Sequence, residues 1–140
     1  MWCDYIFTLC LQGEMQTNTS VEAGSVDTVL CLSVTKWVQL NGGDAALVAL
    51  FDRLRDVLAP GGLLILEPQP WRSYRKALQK RGVAAELHST ALSELRLRPE
   101  EFPSYLSGHG FRLVRELQVP LSTRGFQRPM YLLERVSNGR

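Results

Sequence analysis

Hydrophobic and polar positions along this chain fall into blocks that change period. Val26 to Leu32 is apolar on both faces, the pattern of a strand in a parallel sheet covered by helices. At Ser33 the pattern turns polar and aromatic, and Ser33 to Asn41 reads as a loop. Asn41-Gly42-Gly43-Asp44 reads as a turn, with Asp44 placed to N-cap a helix. From there Leu47, Leu50, Phe51, Leu54, Val57 and Leu58 recur at three- and four-residue spacing. Asp52, Arg53, Arg55 and Asp56 take the opposite face, so the spacing predicts an amphipathic helix lying on a sheet. Pro60-Gly61-Gly62 stops it, and Leu63 to Leu66 is a second apolar strand. Strand, helix and strand with short joints make a βαβ unit, expected to be parallel with a right-handed crossover.

Beyond it, Trp71 to Arg81 predicts a helix whose only apolar contacts are Ala77 and Leu78. Its basic residues, Arg72, Arg75, Lys76, Lys80 and Arg81, fit either a solvated face or an anionic partner. Val83 to Leu97 reads as helix or loop. Pro99 suits the first turn of a helix through Ser107, where its missing N–H has no consequence, and Gly108 or Gly110 can end it. Phe111 to Val119 and Met130 to Val136 read as the last two strands, joined by a long hairpin-type loop, Leu121 to Pro129, with Arg124 and Arg128. Ahead of the first strand, Gln12 to Ser25 reads as a polar loop. The apolar run Tyr5 to Leu11 is too short to span a membrane and has no basic leader, so it reads as a short strand or an unplaced segment, and no membrane partner is expected.

Composition narrows this picture only a little. The 140 residues are 45% hydrophobic and 21% charged, which suits one globular domain with a real core. A net charge of +2 does not by itself call for nucleic acid, so any basic surface has to come from local clustering. Cys3, Cys10 and Cys31 lack metal-ligand spacing, and their odd number argues against a full disulfide framework. A reducing compartment, nuclear or cytoplasmic, is the expectation. His88 and His109 stand apart, so no metal is expected. Ser33 has no evident base, which disfavours hydrolase chemistry. Gly108-His109-Gly110 precedes a strand rather than a helix and fails as a dinucleotide loop.

The two strands of the βαβ unit each deliver polar groups and a Trp just past their C-terminal ends, the edge at which open α/β sheets bind ligands. Ser33, Thr35, Lys36, Trp37, Glu67, Gln69 and Trp71 are therefore expected to line one cleft. Lys36 at its mouth can hold a phosphate, aided by Arg128 and the basic helix, or be an ordinary surface lysine. Trp37 and Trp71 can stack on a base, at about 1–3 kcal/mol each, or cap the core. Glu67 can accept a hydrogen bond from a ligand or from neighbouring backbone.

Three stretches carry a resemblance. They are Leu30-Cys31-Leu32-Ser33-Val34-Thr35-Lys36-Trp37 with Leu40-Asn41; Glu67-Pro68-Gln69-Pro70-Trp71 with Ser73-Tyr74; and Gly125-Phe126-Gln127-Arg128-Pro129 with Tyr131. In order and spacing, from about Ser25 to Glu134, the chain resembles the bicoid-interacting-protein-three family of RNA methyltransferases. The resemblance implies a class I, Rossmann-like α/β fold that uses S-adenosylmethionine. It also implies transfer of a methyl group to the γ-phosphate at the 5′ end of a small RNA. By the same likeness Ser33 and Lys36 are the catalytic candidates, and Leu32 and Ser33 face the cofactor. Lys36, Trp37, Glu67, Gln69, Trp71, Tyr74 and Arg128 form the RNA side, with Lys36 and Arg128 on phosphate and the two tryptophans framing the 5′ nucleotide.

The family's Gly-rich cofactor loop and the acidic residue after its second strand have no counterpart here. The chain is thus expected to hold family strands four to seven, with the first three missing and residues 1–24 outside the likeness. The expected result is a three-layer α/β half-domain, with sheet order four-five-seven-six and strand seven antiparallel. Thr28 to Leu32 would be an apolar edge open to pairing. A non-catalytic RNA-binding fragment without the cofactor half is the alternative function.

Overall fold

A computed structural model of the chain describes residues 21–117 and 128–137. The expected run Tyr5 to Leu11, Cys3, Cys10, Arg124 and most of the Leu121–Pro129 loop lie outside the described residues. Among the described residues four strands and four α-helices follow one another. Strand β1 is Val26–Leu32, helix α1 Thr35–Val57, strand β2 Leu58–Glu67, helix α2 Arg72–Lys80 and helix α3 Ala85–Ser93. A 3-10 turn at Pro99–Glu101 leads into helix α4, Phe102–Ser107, followed by strand β3, Phe111–Leu117, and strand β4, Met130–Arg135.

The sheet order is β1-β2-β4-β3, with β1 and β2 parallel and β4 antiparallel to both of its neighbours. This is the expected order, and the expected antiparallel last strand. The βαβ unit forms because α1 lays Leu47, Leu50, Phe51 and Leu54 against Val29 and Cys31 of β1 and Leu64 and Leu66 of β2. Phe102 and Leu106 of α4 complete this core, where Phe102 meets Phe51 edge-on at 5.4 Å between ring centroids. A satellite cluster of Tyr74, Leu78, Leu92 and Leu95 joins α2 and α3.

Three expectations need correcting. Among the described residues there are two layers, not three. Leu30 pairs with Ile65, and Ile65 with Leu132, along the other face, where Leu30 is exposed and the other two are half-buried. The physical reason is direction: successive right-handed crossovers that step the same way along a sheet put their helices on one face.

Helix α1 begins at Thr35 rather than after a turn at residues 41–44. The break that the glycines signalled is confined to Gly43, whose φ of 71° is a left-handed value that suits glycine. Asp44 follows that break, but its carboxylate accepts from Gln39 Nε2 at 2.7 Å and from the backbone N–H groups of Arg96 and Leu97 at 2.7 and 3.1 Å. It ties the α3–α4 connection to α1.

Finally, β2 begins at Leu58, so Pro60-Gly61-Gly62 sits inside it as an irregularity. Val26 pairs with Leu58, whereas Thr28 already pairs with Leu63. Gly62 is required there, because a Cβ would lie 2.8 Å from the Ala59 carbonyl oxygen and 3.1 Å from that of Asp27.

Val83–Leu97 resolves into helix α3 with irregular flanks. His88 is buried within it, its Nε2 2.8 Å from the Val83 carbonyl. No group of His, Cys, Asp and Glu among the described residues could hold a metal ion. No helix among them is long and apolar enough to cross a membrane.

Candidate functional site

Because β1 and β2 are parallel neighbours, with Leu32 paired to Glu67, both chains leave the sheet side by side at the same edge. Ser33 takes a left-handed φ of 57°, costly for a residue with a Cβ, and turns the chain sharply from strand into helix. Its N–H donates to the Glu67 carbonyl at 3.0 Å, prolonging the ladder by one bond.

Gln69 then locks the turn. Its Nε2 donates to the Ser33 carbonyl at 2.5 Å, and its Oε1 accepts from the Lys36 N–H at 3.2 Å and lies 3.4 Å from Thr35 Oγ1. The residue at the N-cap position, Val34, has no side chain able to cap, so the Gln69 amide takes over one of the orphan donors at the start of α1. Gln69 is 2% exposed. It builds the cleft wall from behind.

In front of that wall, Ser33 Oγ donates to Glu67 Oε1 at 2.6 Å and accepts from Arg128 at 2.6 Å. Arg128 also pairs with Glu67 at 3.3 Å. A chain of guanidinium, hydroxyl and carboxylate thus joins the ends of β1 and β2 to the residue preceding Pro129 and β4. The expected convergence of Ser33, Glu67 and Arg128 is present.

Lys36 is not an ordinary surface lysine. It is 8% exposed, with Nζ 3.3 Å from Ser73 Oγ and 4.4 Å from the centre of the Trp37 ring. Its pKa is held below the usual 10.5, first by burial and then by the positive charges of Arg128, Lys80 and Arg81. Four cations therefore share this edge.

The aromatic residues divide. Trp37 is 37% exposed, with Arg81 above its ring at 5.2 Å, and is accessible to a ligand. Trp71 is half-buried, with Arg98 3.7 Å over its ring and Tyr74 4.6 Å away. Tyr74 is fully buried, and its hydroxyl donates to Gln39 Oε1 at 2.8 Å. Burial, followed by the charges of Glu100 and Asp44, pushes its pKa well above the usual value, so it stays a donor. Tyr74 thus packs behind the cleft rather than lining it. Replacing Tyr74 with Phe should cost about 1–2 kcal/mol, the range for a lost hydrogen bond that leaves a buried acceptor unpaired. Melting curves of the two proteins check this.

Sequence reasoning missed Gln39 and Arg98, and read Asp44 only as a helix cap. Gln39 Nε2 donates to both Asp44 and the Leu97 carbonyl, so Gln39 connects Tyr74 to the α3–α4 connection. A polar residue among the apolar positions of an early helical turn was the available signal. Arg98 gave none.

Residues 26–135 match the family model described as Bicoid-interacting protein 3 (Bin3). The chain belongs to the Bin3 family. A human Bin3 relative, the 7SK snRNA methylphosphate capping enzyme, is 46% identical over 112 residues, covering 78% of this chain and 16% of that protein. A probable RNA methyltransferase of Arabidopsis thaliana is 41% identical over 112 residues, covering 78% of this chain and 34% of that protein. The U6 snRNA methylphosphate capping enzyme Amus of Drosophila melanogaster is 36% identical over 115 residues, covering 80% of this chain and 37% of that protein. The chain thus spans about a sixth to just over a third of the length of these relatives.

Proposed function

We propose that this Bin3 chain forms the RNA side of a class I, Rossmann-like, S-adenosylmethionine-dependent RNA methyltransferase site acting on the γ-phosphate at an RNA 5′ end. The observation that carries the reading is the gathering of Arg128, Lys80 and Arg81 around buried Lys36 at one strand-end edge, where burial first, and these positive charges second, lower the Lys36 pKa. Lys36, the buried member of the four, forms no ion pair with a carboxylate among the described residues, and a buried cation is unfavourable unless an anion joins it. The names of the human and Drosophila relatives, methylphosphate capping enzymes, point to the same chemistry.

A terminal phosphate oxygen is already nucleophilic, so the protein's task is to place that oxygen and hold its charge. Lys36 and Arg128 grip the phosphate. Ser33 and Glu67 set the direction of the Arg128 fork, and Trp37 offers a ring to the first base. Glu67 and Gln69 hold the two loop ends in register, and Trp71 and Tyr74 support them. A bound S-adenosylmethionine would supply an electrophilic methyl on a sulfonium. The described residues do not fit that donor on their own: the edge is cationic, and at its cofactor side Leu32 and Ser33 offer strand-end backbone and a hydroxyl already engaged by Glu67 and Arg128. That mismatch favours a second reading, a non-catalytic RNA-binding module.

Calorimetric titration of the chain with S-adenosylmethionine, followed by methyl transfer to triphosphorylated RNA, separates the two. Micromolar binding with transfer supports the enzyme. A folded chain that binds RNA and not the donor supports the module.

The lowered Lys36 pKa gives a signed pH dependence. Phosphate binds the protonated amine, so affinity for 5′-phosphorylated RNA should fall as pH rises through the lowered pKa, before 10.5 is reached. Lys36→Met should remove that alkaline limb. An affinity flat to pH 10.5 in the unaltered chain would remove Lys36 from the phosphate.

A further inference from the structure

Helix α2 carries Arg72, Arg75, Lys76 and Lys80, and Arg81 follows it; all five are exposed. No Asp or Glu occurs between Pro68 and Ala85, and none of the five forms an ion pair among the described residues. A solvated helix ordinarily mixes signs on its outer face, because like charges three or four residues apart repel. This one keeps the repulsion.

The spacing is ordered. Arg72, Lys76 and Lys80 are four residues apart, so each step rises about 6 Å and turns by about 40°. Together they form a slanting row on one side of the helix, bordered by Ser73. Ser73 is the residue whose hydroxyl meets Lys36 Nζ at 3.3 Å, and Lys80 and Arg81 are near enough to lower the Lys36 pKa. The row therefore runs on directly from the phosphate site, on an element whose other side is pinned by buried Tyr74, Ala77 and Leu78.

We propose that α2 is a track for the RNA backbone downstream of the 5′ end, so that nucleotides beyond the first add affinity through their phosphates. The proposal rests on the phosphate-site reading above. Sequence preference is not expected from the row, since cations on phosphates position the strand without reading bases.

The test compares GTP with 5′-triphosphorylated RNAs of increasing length, on the chain and on its Arg72→Gln/Lys76→Gln variant. Both side chains are exposed, so the variant should fold, which its melting curve verifies. The unaltered chain should bind an RNA of about eight nucleotides at least tenfold more tightly than GTP, and the variant should lose most of that gain. The salt slope of single-strand binding falls by roughly 0.7 per lost phosphate contact, so two lost contacts should lower it by about 1.4.

GTP binding as tightly as the RNA, or a length gain that survives in the variant, would overturn the proposal. The phosphate-site reading fails separately. RNA with a 5′ hydroxyl would then bind as well as triphosphorylated RNA while the length gain still vanished in the variant, which would leave the α2 track standing.

Discussion

Replacing Lys36 with Met should weaken binding of 5′-triphosphorylated RNA by about 10- to 150-fold, the range for one charged hydrogen bond of roughly 1.5–3 kcal/mol. Methionine keeps most of the aliphatic stem beside Trp37 and removes the ammonium together with its bond to Ser73 Oγ. The same change should not destabilise the fold. Lys36 is desolvated and faces Arg128, Lys80 and Arg81, so the charge is held against both burial and repulsion. A loss of RNA affinity at an unchanged or raised melting temperature is therefore the expected signature. Loss of both together would mean that Lys36 mainly supports the fold.

The second large effect is expected at Gln69. Replacing it with Ala removes the bonds to the Ser33 carbonyl and the Lys36 N–H, together with the weaker contact to Thr35. Each intramolecular bond contributes on the order of 1 kcal/mol, and the Ser33 carbonyl and Lys36 N–H would be left in a confined, partly dry place, so a loss of about 2–4 kcal/mol is expected. Against a typical domain stability of about 5–15 kcal/mol this is a large fraction. Ser33 would also lose the bond that holds its carbonyl in the left-handed turn. Anion affinity should therefore fall at temperatures where the variant is still folded. Chemical denaturation with a parallel binding titration checks both. A stable variant with unchanged affinity would mean that the turn is held by the Ser33–Glu67 contacts alone.

These two residues also show where the sequence was legible. The βαβ unit could be read because its helix repeats at three and four residues and its strands are short apolar runs. Both patterns are local. The start of α1 could not be read, since Gln69, the group that helps to cap it, lies more than thirty residues away and Val34 at the cap position has no polar side chain. Asp44 carried the local cap signal but serves Arg96 and Leu97, a tertiary use that no spacing encodes.

The site divides along the same line. Ser33, Lys36, Glu67 and Gln69 follow from two adjacent parallel strands ending together. Arg128, 95 residues from Ser33, joined the candidates through the basic-loop argument and the family resemblance, and the fold brings the two into contact. Tyr74 was expected on the RNA side because it falls within a motif. Its burial against Gln39 depends on how α2 packs against α1 and α3, and a single sequence does not disclose that.

The most direct test of the central claim, that this edge holds an RNA 5′ phosphate, is a competition measurement with two RNAs of identical sequence. One carries a 5′ triphosphate and the other a 5′ hydroxyl, both titrated against the 140-residue chain at fixed salt. The account predicts that the triphosphorylated RNA binds at least tenfold more tightly and that Lys36→Met removes the difference. Equal affinities for the two ends in the unaltered chain would contradict it.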